Sequence, residues 1–289
     1  MVKEHGMANG TPSVVDLNAE LAKLTMFCRT PGSTAADREG SVAQLASYRD
    51  GLLLAIKAAG KDHWERHLTG DELVRVLDGA ATLEIACTAG PPQSFALVAG
   101  TIAVVPQGVW HRLQSSRGFT QLVATPFPGE TIELDVDDPR TAERPPETET
   151  ASGSPRIVDL DAELAKLTMF RGRTPQSTIA DRKGSAARLA SYRDGTLTAS
   201  KFSGKGHWEA HIADELIHIL DGAATLEIVR EDGPQSFALR TGMIAVIPQG
   251  ASHRFHSSEG VTLMTATPSP SEVIELDVDD PRAVERKPA

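Results

Sequence analysis

Four short stretches of the chain concentrate imidazoles and carboxylates. GKDHWERHLTGDELVRVLDG runs from Gly60 to Gly79, and GTIAVVPQGVWHRLQS from Gly100 to Ser115. GKGHWEAHIADELIHILDG runs from Gly204 to Gly222, and GMIAVIPQGASHRFHS from Gly242 to Ser257. The chemistry these residues can do depends on the backbone carrying them. On a β-strand, residues two apart face the same side at roughly 6.6 Å, close enough to share one ion. Glu65 with His67, and Glu209 with His211, meet that condition. His63 and His67, four apart, lie roughly 13 Å from each other along a strand and cannot share an ion without a bulge. A helix would suit that HxxxH spacing for zinc, but Gly60 and the turn-like TGD after His67 argue against a helix there. His63 and His207 share the parity of the carboxylates, which suits groups that contact a substrate or support a ligand. No Walker loop, GxSxG elbow or dinucleotide fingerprint is present.

The elements that position these residues come twice. VVDLNAELAKLTMF from Val14 recurs as IVDLDAELAKLTMF from Ile157, LASYRDG returns at Leu189, LDGAATLEI at Leu220 and IELDVDDPR at Ile274. A repeat of this length is a whole domain rather than a solenoid unit. The expected organisation is a loose N-terminus over 1–13, a first domain over 14–140, a second over 157–283 and a loose end over 284–289. Between the domains, 141–156 is rich in Pro, Glu, Thr and Ser and reads as a solvated linker. Each copy opens with one short helix, AELAKL, with Asp16 or Asn18 and Asp159 or Asp161 as candidate caps. Beyond it, short β-rich runs are split by DG, GP, TG and QG turns, the pattern of an all-β sandwich or barrel.

At the four clusters the sequence resembles the cupin superfamily. The second cluster of each copy fits that family's glycine, five residues, Pro-x-Gly, two residues, His pattern, with Ser115 and Ser257 where Asn is usual. The first cluster fits the His, Glu, Gly part through His67, Glu72 and Gly79, and through His211, Glu215 and Gly222. The resemblance implies two double-stranded β-helix (jelly-roll) barrels in tandem, a bicupin. It departs from the family where the usual His-x-His begins, since Glu65 and Glu209 hold that first position. With the strand geometry, the resemblance implies two ligand sets: Glu65, His67, Glu72, His111 and Glu209, His211, Glu215, His253. Two imidazoles and two carboxylates suit one divalent transition metal per domain, Fe, Mn, Ni or Zn. A carboxylate pair in a closed barrel without a cation would repel, so a metal or a shared proton is expected.

Other candidates read as structural. Tyr48 and Tyr192, like Trp64 and Trp208, occupy equivalent positions and suit strand packing, and the tryptophans have the parity that points away from the barrel interior. Arg112 and Arg254 follow the ligand histidines and face away likewise. Lys57 and Lys201 read as a solvated strand face. His218 and His256 occur only in the second copy, and Cys28 and Cys87 only in the first, so no shared mechanism depends on them.

The composition narrows the partners. With 29 Lys and Arg against 39 Asp and Glu, the 289 residues carry a net charge of −10 and form no basic patch, so no nucleic-acid partner is expected. Two cysteines fit a reducing compartment. The start MVKEHGMANGTPS lacks a signal-like apolar stretch, and no run reaches a membrane span of ~18 apolar residues, so no membrane contact and a cytoplasmic location are expected. An intrachain pair of barrels, with a homodimer as a further step, would bury exposed strand edges. Apolar residues of ligand parity, Val74, Val76, Val109 and Leu113 and then Ile217, Ile219, Ala251 and Phe255, point to a compact, aromatic or diketone-like substrate. The expected activity is that of a metal-dependent dioxygenase-type oxidoreductase, with Glu65, Glu209, His63 and His207 as catalytic candidates. A metal-dependent isomerase or lyase using Glu65 and Glu209 as bases, or a non-catalytic small-molecule-binding bicupin, are the alternatives.

Overall fold

The computed structural model describes residues 10–142 and 153–284. The first copy contributes β1 (Ser13–Asp16), α1 (Leu17–Lys23), β2 (Phe27–Arg29), β3 (Val42–Tyr48), β4 (Gly51–Lys61), β5 (Trp64–His67) and β6 (Glu72–Ile85), then β7 (Gln93–Val98), β8 (Thr101–Val105), β9 (His111–Pro126) and β10 (Gly129–Ile132). The second contributes β11 (Arg156–Asp159), α2 (Leu160–Ala165), β12 (Phe170–Arg173), β13 (Ala186–Tyr192), β14 (Gly195–Lys205), β15 (Trp208–His211) and β16 (Glu215–Arg230), then β17 (Gly233–Arg240), β18 (Met243–Ile247), β19 (His253–Pro268) and β20 (Ser271–Ile274). The fold is all-β with one short helix per copy, starting directly after Asp16 and after Asp159. Each copy supplies all but one strand of a β-barrel.

Two compact units result: Leu17–Asp161, and Met1–Asp16 with Ala162–Ala289. In the first unit the main path through the sheet is β10-β5-β9-β6-β8-β11, with β4 on β9, β2 and β3 on β4, and β7 on β6. The second unit repeats this, with β1 as the strand beside β18. The strand that opens each repeat therefore completes the sheet of the other copy: Ser13 faces Val246, and Arg156 faces Val104. The stretch 143–152, most of the expected linker, lies outside the described residues, as do 1–9 and 285–289. The flanks of that stretch are a 3-10 helix at Pro139–Thr141 and β11.

The core follows from period-two patterning. On β6, Val74, Val76, Leu83 and Ile85 point inward to join Ile56, Val105, Leu113, Phe119 and Val123, all buried. Ile217, Ile219, Leu226, Ile228 and Phe255 do the same in the second unit. Each fully buried aliphatic side chain of this kind contributes about 1.5–3 kcal/mol. Trp64 and Trp208 point to the other side of the strand, as their parity requires, yet are buried. Trp64 packs with Ala86, Trp110 and Ile132, outside the main core, and its indole N–H donates to the Val136 carbonyl at 3.0 Å.

Lys57 and Lys201 correct the expectation of a solvated face. Their ammonium groups donate to the carbonyls of Leu24 (3.2 Å) and Leu164 (2.8 Å) at the ends of the short helices. Carbonyls at a helix C-terminus lack intrahelical donors and attract a cation, which outweighs full hydration of the lysine. One glycine is sterically required beside the site: Gly60 has φ +81°, and a Cβ there would meet the Arg29 carbonyl oxygen at 2.2 Å. Gly204 repeats this against Arg173. These close crossings seat β2 and β12, and the arginines that end them, on the barrel wall.

Candidate metal centres

Three strand ends build each centre. β5 carries Glu65 and His67 on one face, β6 begins at Glu72, and β9 begins at His111, whose register partner is Glu65. The Pro106–Gly108 loop that delivers β9 is tied to β5, since the Gly108 N–H donates to the His67 carbonyl at 2.7 Å. The Gln107 N–H donates to Asp71 at 3.0 Å, one residue before Glu72. Gly250 to His211 (2.9 Å) and Gln249 to Asp214 (2.9 Å) repeat both ties. On the other side of the strand, Arg112 binds Glu84 and the Val136 carbonyl and stacks 4.4 Å over Trp64, so the residue next to His111 is anchored outside the barrel. Arg254 does this with Glu227, the Val278 carbonyl and Trp208.

In the first barrel, Glu65, His67, Glu72 and His111 each offer an atom within 4.8 Å of the others. Glu72 lies 2.9 Å from His111 Nε2 and 3.2 Å from His67 Nε2, and Glu65 lies 3.9 Å from His111 Nε2. In the second barrel Glu209, His211 and His253 form the equivalent group. Glu215 adjoins it, 3.0 Å from His253 Nε2 and 3.5 Å from His211 Nε2. All eight residues of the two expected sets therefore converge, four per barrel. His63 and His207 sit beside them: their Nε2 atoms lie 3.4 Å from Glu65 and 3.5 Å from Glu209.

The donor chemistry fits a cation. His111 Nδ1 is 3.0 Å from the Val109 carbonyl, and His253 Nδ1 is 3.0 Å from the Ala251 carbonyl. A carbonyl only accepts, so the proton resides on Nδ1 and the neutral ring turns the Nε2 lone pair into the site. That lone pair faces a carboxylate oxygen at 2.9–3.0 Å, an arrangement of two acceptors that needs a shared proton or a metal ion between them. His211 points the same way: Nδ1 meets the Ser271 hydroxyl at 2.9 Å, while Nε2 is buried without a hydrogen bond.

Without a metal, protons take up this role. Desolvation opposes charge on His67, but the neighbouring Glu72 and Glu65 outweigh it and raise its pKa to about 9. Desolvation opposes charge on His111 and His253 as well, and Glu72 and Glu215 lift both above the ordinary imidazole value. The two carboxyls move oppositely, pressed upward by burial yet held below the usual range by the facing histidines. Each centre is thus a buried set of opposite charges in which a divalent ion can replace protons.

Each centre opens into a cavity, about 810 Å³ in the first barrel and about 340 Å³ in the second. The apolar residues expected around the sites are inside both barrels, but only Val74, Leu113 and Phe255 among them line these cavities. Sequence reasoning missed the polar wall. Arg29, Arg38 and Asp62 line the first cavity, and Arg173 and Arg182 the second. Thr125 and Thr267 complete the inventory: Thr125 lies 3.4 Å from His67 Nε2, and Thr267 donates to Glu215 at 2.5 Å. Their one signal in the chain was the recurrence of Arg29, Arg38 and Thr125 as Arg173, Arg182 and Thr267, which Asp62 lacks, because very short strands, loops and the far ends of long strands carry them. Arg38 Nη2 donates to His63 Nδ1 at 2.8 Å, and arginine has no acceptor, so the His63 proton lies on Nε2, facing Glu65.

No protein-family model and no curated protein sequence matches the chain. Solved structures do. A mutant salicylate 1,2-dioxygenase from Pseudoaminobacter salicylatoxidans, in complex with gentisate, superposes with a TM-score of 0.65 at 11% identity, over 94% of this chain and 88% of that one. A second mutant of that enzyme gives 0.63 at 12%, over 93% and 90%. Bacillus subtilis oxalate decarboxylase, described with Mn(II) centres, gives 0.50 at 11%, over 81% and 74%. At such identities the likeness is one of fold, and it adds to the motifs carried twice in the sequence. The chain thus has the fold of two cupin-type β-barrels, and its twice-carried motifs, in a Glu-x-His form, resemble those of the cupin superfamily, with one candidate metal site in each barrel.

Proposed function

We propose that the protein is a metal-dependent enzyme acting on a compact small molecule, with one divalent transition metal in each barrel and dioxygenase-type oxidoreduction as its activity. The observation that carries this reading is the inward-facing His111 and His253 lone pairs, each set against a buried carboxylate, Glu72 or Glu215, that lines a cavity. Glu65, His67, Glu72 and His111, and Glu209, His211, Glu215 and His253, would hold the ions. A bound ion of this kind supplies Lewis-acid or redox capacity at a position open to substrate. The protein's own contribution is placement. Val74 and Leu113 exclude water from one side of the first cavity, and Arg38 fixes the His63 ring so that its Nε2 proton faces Glu65. Glu65 and Glu209 are the more exposed carboxylates of their sets, at 27% and 22%, and lie where a substrate proton can reach them. A salicylate 1,2-dioxygenase superposes over nearly the whole chain, so the fold is one that hosts such chemistry.

The His63–Glu65 and His207–Glu209 pairs favour a second reading, a metal-dependent isomerase or lyase in which the carboxylate takes the substrate proton. The deciding experiment has two parts. Elemental analysis of the purified chain should find close to two divalent transition-metal ions, and the His67→Ala/His211→Ala double variant should lose both while staying folded. Oxygen-electrode screening against phenolics and diketones should then show uptake that the double variant lacks. Retention of metal in the double variant would sink the ligand assignment. Metal-dependent turnover without oxygen uptake would favour the second reading.

A further inference from the structure

The two cavities keep the same candidate ligands and differ in charge beside them. In the first barrel the Arg29 guanidinium is paired with Asp62, both buried, and Arg38 reaches His63 at 2.8 Å and Asp62 at 3.8 Å. Both arginines are committed to the protein. The second copy has Gly206 where the first has Asp62, and Phe202 where the first has Ala58. Arg173, the counterpart of Arg29, accordingly has no carboxylate in ion-pair contact among the described residues, and Glu209 of the candidate metal centre attracts it only from across the cavity. Its guanidinium lies 4.7 Å over the Phe202 ring, and its carbon and one terminal nitrogen sit 3.5 Å from where a Cβ on residue 206 would be. Among the described residues it makes no hydrogen bond and no ion pair, and its Nε is buried. Desolvation lowers its pKa only to about 10, so it stays a cation at neutral pH. An aromatic shelf orients a guanidinium without neutralising it, which leaves its planar donor fork to a ligand.

We propose that Arg173 makes the second barrel a carboxylate-binding cavity, whereas Asp62 neutralises the equivalent position in the first, so that the two barrels of one chain accept ligands of different charge. The proposal rests on the cavity being the ligand site assigned above, and it does not need the metal to be redox-active. A small molecule bearing one planar carboxylate fits the 340 Å³ space, its oxygens on the Arg173 fork and its body toward Phe255 and Leu263.

Calorimetric titration of the full chain with benzoate, and separately with benzamide, tests this. Benzoate is expected to bind at one equivalent per chain and at least tenfold more tightly than benzamide, a comparison that needs no variant. Arg173→Met and Gly206→Asp should each weaken benzoate at least tenfold without changing metal content. The aspartate is sterically admissible, because a Cβ there meets its nearest atoms at 3.4–3.5 Å. Absence of benzoate binding by the native chain, equal affinity for benzamide, or affinity that survives both variants would overturn the proposal. Metal-free protein that still binds benzoate through Arg173 would leave this inference standing and retire the metal reading. Metal-loaded protein with no benzoate affinity would do the reverse.

Discussion

Removal of the first 16 residues tests the pairing that most distinguishes this chain from two self-contained repeats. β1 forms four register pairs with β18, from Ser13 with Val246 to Asp16 with Met243. Such a ladder holds about four backbone hydrogen bonds, each with a net contribution of about 1 kcal/mol. Val14 packs on the core of the second barrel and adds about 1 kcal/mol. The Asp16–Arg240 ion pair at 2.7 Å, with Arg240 69% exposed, adds less than about 1 kcal/mol. Ordering four residues opposes this by at least about 1 kcal/mol each. The deletion should therefore cost the second barrel about 2 kcal/mol and lower its melting temperature by roughly 5–10 °C, leaving the first barrel unchanged. Hydrogen exchange read by mass spectrometry localises the effect. Amides of Met243–Ile247 should lose protection as β18 becomes an edge, while Thr101–Val105 should keep theirs because β11 still covers β8. Protection lost at Thr101–Val105 and retained at Met243–Ile247 would mean that each opening strand serves its own copy, and the described pairing would be wrong.

Two further substitutions probe the frame of the centres. Thr267→Val removes the hydroxyl that donates to Glu215, so the second centre should bind its metal about tenfold more weakly in chelator competition, with the first unchanged. Equal affinity at both centres would show that Thr267 does not position the carboxylate. Arg112→Met strips Glu84 and the Val136 carbonyl of their buried donor and should cost about 3 kcal/mol in urea denaturation. A loss below about 1 kcal/mol would show that the anchor behind His111 is dispensable.

The candidate ligands were legible because strand parity and the repeat act on the same residues. Glu65 and His67 share a face only if β5 is extended, and Glu72 and His111 recur as Glu215 and His253 at nearly constant spacing. Trp64 and Arg112 were legible for the complementary reason, since opposite parity sends them outside. Lys57 was misread because strand periodicity describes a side chain's face and says nothing of a helix end arriving over it. The pairing of β1 with β18 left no local trace: VVDL and IVDL are equally good partners for either β8 or β18, and near-identical strands cannot specify by sequence which copy they join. Arg29, Arg38, Arg173 and Arg182 escaped notice because strands of three or four residues and irregular loops carry them, too short to show a period, and the fold alone brings such segments over a cavity.

Divergence between the copies then acquires a physical meaning that aligning them does not supply. The eight candidate ligands, the Pro-x-Gly ties and the arginine–tryptophan anchors are duplicated with closely matching geometry, so the frame of each centre has been preserved. The changes beside it act together: Asp62 against Gly206 removes a charge, Ala58 against Phe202 adds a surface for the uncovered guanidinium, and Gly129 against Ser271 gives His211 Nδ1 a hydroxyl partner where His67 Nδ1 has no hydrogen bond among the described residues. Had Asp62 alone been lost, Arg173 would have been free to swing into solvent, since a flexible side chain keeps a buried position only where something holds it. Phe202 supplies that hold. Paired loss and compensation at one spot, with every candidate ligand retained, is the pattern expected when one of two duplicated sites changes what it binds while keeping the means to act on it.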